Sequence, residues 1–221
     1  MNAVTPEPQS QAGGQTAANP SPLLVLISAP SGGGKTTLCQ QLLAARPGMT
    51  RAITCTTRAP REGERDGVDY YFLDAASFLK RVQAGNFLEH ATVYGHSYGT
   101  LKAEVLGKLR QGKDVLLNVD VQGAATIRSV ALADAELRRA LFTVFLTPPS
   151  LSVLEGRLRK RGTDIAAVIQ KRLSVARQEI AQWKHFDYLL ISGTIAEDLR
   201  QMLAIVEAEK MRTVRVQAPQ F

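Results

Sequence analysis

The sequence predicts an α/β fold in which a parallel sheet is covered by helices on both faces. Largely apolar runs alternate with stretches of helical periodicity over most of the 221-residue chain. The runs cover residues 23–27, 115–121, 141–146 and 188–191. Because most of their successive positions are apolar, they are typical of strands that are buried on both sides.

The helices between these strands are marked by apolar residues at helical spacing. They are expected at about 75–84, 101–111, 165–183 and 195–211. Gly85 and Gly112 follow the first two, in the position where glycine commonly ends a helix. Ser152 and Glu155 have the spacing of a capping box, which predicts that a further helix begins there, after a pair of prolines.

The stretch 54–110 is less apolar and richer in aromatic residues than the segments around it. It contains short strand candidates within 52–56 and 87–94, and a polar, turn-rich segment at 58–71. We interpret the stretch as a subdomain inserted between two strands of the main sheet.

Composition narrows the class of protein. Hydrophobic residues make up 45% and charged residues 21% of the chain, which excludes collagen-like, coiled-coil and wholly disordered proteins. The net charge of +7 favours an anionic partner, which is a nucleic acid, an acidic lipid or a phosphorylated small molecule. Cys39 and Cys55 belong to no CxxC pair, so we expect neither a zinc site nor a disulfide framework.

The first 22 residues are predicted to be a disordered tail. They carry one charge, Glu7, and only scattered apolar residues, which are too few to offset the cost of ordering. A secretory signal needs a basic start before an apolar run, and a membrane span needs about 20 apolar residues; we find neither pattern. We therefore expect a cytoplasmic protein without a membrane partner.

A glycine-rich loop between the first strand and the next helix predicts phosphate binding. It matches the pattern GxxxxGK[ST], with Ala29 at the first position and Gly34, Lys35 and Thr36 at the last three. Backbone N–H groups and the helix N-terminus can surround one anion there, since glycines allow close approach. Lys35 can reach the β- and γ-phosphates, and the Thr36 hydroxyl can bind Mg²⁺. The residues predicted to bind the phosphates, for which the resemblance described below implies ATP, are Ala29, Pro30, Ser31, Gly32, Gly33, Gly34, Lys35 and Thr36.

Seven motifs occur in a fixed order along residues 23–210. They are SAPSGGGKT at 28–36, TTRAPREGE at 56–64, YYF at 70–72, FLE at 87–89, YGT at 98–100, DVQG at 120–123 and RGT at 161–163. In this order they resemble the guanylate kinases of bacterial type, in which alanine is usual at the first loop position.

The resemblance implies a P-loop NTPase-type sheet flanked by helices, with an inserted GMP-binding subdomain and a mobile lid. The implied core covers about 23–53, 111–152 and 171–210, the GMP-binding insert about 54–110, and the lid about 153–170. The implied reaction is the Mg²⁺-dependent transfer of the γ-phosphoryl group from ATP to GMP, which gives ADP and GDP in purine nucleotide metabolism.

The resemblance also implies a set of GMP-binding residues. They are Thr54, Arg58, Arg61, Tyr70, Glu89, Tyr98, Gly99, Thr100 and Asp120. Arginine forks suit the GMP phosphate, although the local sequence alone would favour a solvated turn at this place. The Glu89 carboxylate can accept from guanine N1–H and the 2-amino group, and adenine offers neither donor. Threonine hydroxyls would lie near O6.

The catalytic residues that the resemblance implies are Lys35, Arg58, Arg157, Arg161 and Arg172. The last three match lid arginines, which would close over the triphosphate and exclude water. Without the phosphate loop upstream, such a basic run would indicate a solvated face or a nucleic-acid patch. Asp120 would either hold Mg²⁺ through water or contact the guanine amino group, and the sequence does not separate these roles.

The sequence departs from the family pattern at two positions. Asn118 stands where the family usually has an acidic residue. Ser192 stands where asparagine is common near the adenine, which predicts a looser preference for the nucleotide donor.

Two other functions are considered: a non-catalytic interaction module and a kinase for another monophosphate such as AMP. Intact loop and lid residues argue against the first, and Glu89 against the second. We expect dGMP to be accepted, no nucleic-acid partner, and a monomer or homodimer.

Overall fold

Two sheets of different character make up the computed structural model, which describes residues 21–93, 95–160 and 165–216. The strands are β1 (Leu24–Ser28), β2 (Met49–Arg51), β3 (Thr54–Thr56), β4 (Tyr71–Phe72), β5 (Phe87–Val93), β6 (His96–Leu101), β7 (Asp114–Asn118), β8 (Leu141–Thr147) and β9 (Tyr188–Ile191). The helices are α1 (Lys35–Ala45), α2 (Ala75–Gln83), α3 (Lys102–Arg110), α4 (Val121–Leu132), α5 (Ala135–Ala140), α6 (Leu151–Lys160), α7 (Ala166–Ile180) and α8 (Ile195–Lys210), with a short 3₁₀ helix at Ala181–His185.

The main sheet has the strand order β2-β7-β1-β8-β9, and all its described pairs are parallel. Every residue of β1 is buried, as expected for the central strand of such a sheet. Val25 and Ile27 pack with α1 and α8 on one face, whereas Leu24 and Leu26 pack with α3, α4 and α5 on the other. The predicted α/β fold is confirmed, and it places the end of β1 directly before the glycine loop.

The second sheet is small and mixed, with the order β4-β3-β6-β5. It is formed by residues 54–101, within the predicted insert. Helix α2 covers one end, where the rings of Phe78 and Phe87 stack with centroids 4.6 Å apart. Helix α3, at the end of the stretch, buries Val105 and Leu109 in the core of the main sheet. Leu88 of β5 lies in the same core, so this stretch packs against the main sheet through both α3 and β5.

The end of β7 differs from the prediction. The strand ends at Asn118 rather than continuing to Val121, which belongs to α4. Asp120 is the N-cap of that helix, and its Oδ1 accepts a hydrogen bond from the Gly123 amide at 2.7 Å. The β-branched residues around Asp120 favoured a strand, but a carboxylate at the helix start satisfies an otherwise unpaired amide.

The start of α6 also differs. The predicted capping box at Ser152 and Glu155 is wrong, because Ser152 lies inside the helix. The Ser150 hydroxyl accepts from the Val153 amide at 3.2 Å instead, and Glu155 pairs with Arg159 one turn later. Two serines two residues apart offer the same capping chemistry, and the structure uses the first.

Other elements also differ from the predictions. The helix expected over 165–183 is α7 followed by the 3₁₀ helix, so Trp183 lies outside the α-helix. Strands β2, β4 and β6 and helices α4 and α5 were not predicted. Of the predicted tail, Ser21 and Pro22 are described, and the Ser21 amide donates to the Arg215 carbonyl at 3.3 Å; residues 1–20 lie outside the described residues. In the described ranges, no helix has the length and apolarity that crossing a membrane requires.

Candidate functional site

The loop between β1 and α1 forms an open cradle. Gly32 and Gly34 have φ angles of +86° and +98°, which side chains rarely adopt. A Cβ on Gly33 would lie 2.9 Å from the Pro30 carbonyl oxygen, and a Cβ on Gly32 would lie 2.8 Å from a methyl of Leu158. Glycine is therefore required at this turn, and the loop encloses a cavity of about 310 Å³ at the N-terminus of α1.

Lys35 crosses from the first turn of α1 towards the end of β7. Its Nζ donates to the Val119 carbonyl at 2.9 Å. Burial lowers the pKa of this ammonium group, while the nearby groups Asp120, Cys39 and Glu179 act in the opposite direction. The contact holds a cation at the floor of the cradle, and within the described ranges no ion pair of Lys35 would have to break for an incoming anion.

A second cavity, of about 400 Å³, lies between the main sheet and the small sheet. Its walls include Thr54, Tyr70, Glu89, Tyr98 and Thr100. With Asp120, six predicted GMP-binding residues are thus brought together at one cleft, which we call the acceptor cleft. The volume is in the ordinary range for a small-molecule site.

Glu89 and Thr100 form the polar centre of the acceptor cleft. They are paired across β5 and β6, and the Thr100 hydroxyl donates to Glu89 Oε1 at 2.7 Å. Burial raises the pKa of Glu89, and the charge of Asp120 acts in the same direction, whereas the Thr100 hydroxyl opposes both. Thr54 lies opposite Thr100 on β3, so its hydroxyl-bearing side chain borders the same cleft.

Arg58 lies beside the cleft and already has a carboxylate partner. Its Nη2 donates to both oxygens of Glu64, at 2.8 and 2.9 Å, and its guanidinium lies 5.5 Å from the centre of the Tyr70 ring. The Glu64 carboxylate also accepts from the Arg61 amide at 2.8 Å. This amide and the Arg58 guanidinium hold the pKa of Glu64 below its usual range. The Arg61 side chain is exposed.

Gly99 supports the acceptor cleft through packing. It is buried on β6, where a Cβ would lie 2.9 Å from the Phe87 ring and 3.1 Å from the Glu89 carbonyl oxygen. A side chain here would force β5 and β6 apart at the position of Glu89. The structure thus gives a steric reason for glycine at position 99, which the sequence did not show.

The two cavities meet at Thr36 and Asp120, which line both of them. Both residues are exposed and offer oxygen atoms. A hydroxyl and one carboxylate fit a Mg²⁺ ion that keeps most of its remaining ligands from water and phosphate. The described part of the chain holds no cluster of three or more His, Cys, Asp or Glu residues that could bind a metal by itself.

The predicted lid arginines are divided between regions. Arg157 on α6 points to the far side of the loop, where Nη2 donates to the Ser192 hydroxyl at 3.1 Å and Nη1 to the Gly33 carbonyl at 3.5 Å. Arg172 lies on α7 and is half-buried. Arg161 lies outside the described residues. Arg157 also lines a third cavity of about 290 Å³, next to the first turn of α1.

Two acidic residues at the loop were not found from the sequence. Asp198 on α8 is buried, and its carboxylate accepts from the Ser192 hydroxyl and from the Gly193 amide, both at 2.8 Å. Glu179 on α7 accepts from the Ser31 amide at 3.3 Å. Neither residue belongs to a motif, so the sequence offered no signal that either lies near the loop.

A buried parallel strand, a glycine loop with a lysine, and a helix that starts at that lysine define a nucleotide-binding fold of the phosphate-loop class. A model of the family described as guanylate kinase matches residues 21–209. The chain therefore belongs to the guanylate kinase family.

Similar proteins agree with this assignment. The guanylate kinase of Alcanivorax borkumensis is 45% identical over 197 residues, which cover 89% of this chain and 92% of the relative. That of Coxiella burnetii is 43% identical over 189 residues, which cover 86% of this chain and 88% of the relative. The crystal structure of guanylate kinase from Anaplasma phagocytophilum has a TM-score of 0.67 and 29% identity, and the match covers 90% of this chain and 92% of that one.

Proposed function

We propose that this chain is an active guanylate kinase, which transfers the γ-phosphoryl group of ATP to GMP and releases ADP and GDP. The observation that carries the proposal is the common wall of two cavities. The cradle and the acceptor cleft share Thr36 and Asp120, so a donor phosphate and an acceptor phosphate can meet there. A non-catalytic interaction module has no need for this junction.

The acceptor cleft supports guanine selection by Glu89. Its carboxylate can accept from N1–H and from the 2-amino group, and we assign the Thr100 and Thr54 hydroxyls, which line the same cavity, to O6. Adenine would offer this half-buried carboxylate no donor from the base and would leave it with the Thr100 hydroxyl alone, which a polar site penalises heavily. The same argument disfavours AMP as the acceptor. The ribose 2′-hydroxyl is not needed for this selection, so dGMP should be accepted as well.

The GMP phosphate is assigned to Arg58, Arg61, Tyr70 and Tyr98. The ion pair with Glu64 holds the Arg58 guanidinium next to Tyr70 before the acceptor arrives. Two guanidinium groups and two phenol hydroxyls can bind phosphate oxygens with directional hydrogen bonds. Gly99 keeps the strands close enough for this arrangement.

The donor is assigned to the cradle, with the triphosphate on the loop residues 29–36 and the base towards the third cavity. Lys35 stabilises negative charge on the β- and γ-phosphates. Mg²⁺ would be held by the Thr36 hydroxyl and, through water, by Asp120, and it would neutralise charge on the phosphate chain. We assign Asp120 to the metal because it shares a wall with Thr36.

The reaction needs no general base, because the attacking group is already a phosphate oxygen anion. That oxygen forms a bond to the γ-phosphorus while the bond to the leaving ADP oxygen breaks. Arg157, Arg161 and Arg172 are proposed to complete the charge stabilisation when the lid, about 153–170, closes and excludes water. We place the enzyme in the cytoplasm, in the recycling of GMP and dGMP, as a monomer or homodimer.

The test is a coupled assay of ADP formation from ATP and Mg²⁺, with GMP, dGMP, AMP and UMP as acceptors. We expect rapid ADP formation with GMP, slower formation with dGMP, and background rates with AMP and UMP. Chelation of Mg²⁺ should stop the reaction, and a sample without acceptor controls for ATP hydrolysis. Equal rates with GMP and AMP, or no ADP with GMP, would contradict the proposal.

A further inference from the structure

Glu179 places a carboxylate in the phosphate cradle. It projects from α7 and its Oε2 accepts the Ser31 backbone amide at 3.3 Å, 148 residues away in the chain. It also lines the 310 Å³ cavity of the cradle. None of the proposed steps of the reaction uses this residue.

The charge of the cradle is unusual for a site that takes a polyanion. Among its described wall residues the charged side chains are Lys35, Asp120 and Glu179, which is one cation and two carboxylates. Asp120 caps α4 and is assigned to the metal. Glu179 remains as a negative charge that no metal is assigned to neutralise, at the place where the donor's phosphates would lie.

The Glu179 carboxylate and a bound phosphate would compete for the Ser31 amide. The Ser31 amide belongs to the loop whose backbone donors can surround an anion, and the Glu179 carboxylate accepts a hydrogen bond from it. Burial raises the pKa of Glu179, while the Ser31 amide and the charge of Lys35 oppose this change. Lys35 thus attracts the Glu179 carboxylate. A phosphate would have to displace this carboxylate from the Ser31 amide, and the two negatively charged groups would remain close together afterwards.

We propose that Glu179 limits the affinity of the donor site by competing with the phosphate chain for the Ser31 amide and by repelling it once it is bound. ATP and ADP are therefore held more weakly than the loop and Lys35 alone would hold them, and ADP leaves more readily after transfer. The inference rests on the proposed function, since it concerns the donor site of that reaction.

A purely anchoring role for Glu179 predicts the opposite effect on nucleotide affinity. If Glu179 only fastened α7 to the loop, its removal would weaken nucleotide binding. Glu179→Gln separates the two roles, because the amide oxygen still accepts from Ser31 but the charge is gone. Glu179→Ala removes both. Glu207→Gln is the matched control, because Glu207 lies on α8, is 60% exposed at its side chain and pairs with Arg46.

The experiment is calorimetric titration of the four proteins with ADP in Mg²⁺, and separately with inorganic pyrophosphate, which has no base. We expect Glu179→Gln to lower both dissociation constants about tenfold, and the rate of ADP dissociation to fall with them. Glu207→Gln should match the original chain. GMP affinity should be unchanged in all variants, since Glu179 does not line the acceptor cleft.

Three outcomes would overturn the inference. If Glu179→Gln binds ADP and pyrophosphate no more tightly than the original chain, the carboxylate does not oppose the donor. If Glu179→Gln is unchanged and Glu179→Ala is weaker, the residue is an anchor. If the original chain binds neither ligand, the proposed function fails as well, whereas the first two outcomes leave it intact.

Discussion

The two cavities that meet at Thr36 are built from different parts of the chain. The donor cradle consists mainly of backbone, and buried strand β1 holds its glycines in place. One wall of the acceptor cleft consists of side chains on the half-buried strands of the small sheet, with Glu89 and Thr100 at its centre, and the opposite wall belongs to α1 and β7. The comparison teaches that donor binding is spread over many amides, whereas acceptor identity depends on single side chains.

Lys35→Ala tests the one cationic side chain in a donor cradle that otherwise binds mainly through backbone amides. Lys35 is the one cation among the described walls of the cradle, so its loss removes charge stabilisation that the amides do not replace. We expect kcat with ATP and GMP to fall about 10³-fold. The fold should persist, because the hydrogen bond that the described residues offer this side chain is one contact with the Val119 carbonyl. Near-original turnover in a folded variant would refute the role of the loop lysine.

Glu89→Gln tests the acceptor side. The amide loses the charge that attracts guanine's two donors, and its own N–H groups repel them. We expect the ratio of kcat/KM for GMP to that for AMP to fall at least about tenfold, with the KM for ATP unchanged. Glu207→Gln is the control for loss of a carboxylate elsewhere. If the ratio is unchanged, guanine is selected by other groups.

Gly99→Ala and Gly107→Ala compare a crowded glycine with a free one. The Gly99 Cβ would meet the Phe87 ring at 2.9 Å, whereas nothing lies within 4 Å of a Cβ on Gly107 in α3. Gly99→Ala should cost about 1–3 kcal/mol of unfolding free energy and raise the KM for GMP rather than for ATP. Gly107→Ala should add about 0.5–1 kcal/mol. Equal urea midpoints for the two variants would show that β5 and β6 tolerate the methyl group.

The smallest expected effect concerns pH and stability. Burial raises the pKa of Glu89, so the folded chain favours its protonated form. The ionised carboxylate therefore destabilises the free enzyme as pH rises from the ordinary pKa of 4.5 through the raised value, and Glu89→Gln lacks this loss. We expect the variant to gain thermal stability relative to the original chain across this range, and the difference to be absent below it. A pH-independent difference would contradict the raised pKa.

The main sheet was predictable because burial on both faces leaves a strong signal. The apolar runs that became β1, β8 and β9 needed no tertiary information. Strand β2 has three residues and β6 contains Ser97 and Gly99, so neither shows a clear period. The helical start at Asp120 was obscured by the β-branched residues on either side of it.

The site was predictable in part for similar reasons. The loop lysine and glycines are local in sequence and carry their chemistry in their spacing, and the resemblance supplied the acceptor residues. Glu179 and Asp198 contact the loop or its surroundings from distant helices, and an isolated glutamate or aspartate on a helix resembles any solvated residue. Contacts between residues far apart in the chain are what a single sequence does not reveal.

The most direct test of two adjoining sites is the binding of one molecule that fills both. Adenosine and guanosine joined through a chain of five phosphates would place one nucleoside in each site, with the phosphates passing Thr36 and Lys35. We predict one molecule bound per chain, at least about 100-fold more tightly than ATP or GMP alone, because the second contact becomes intramolecular. Affinity no higher than that of ATP, or binding that GMP does not compete with, would contradict the account.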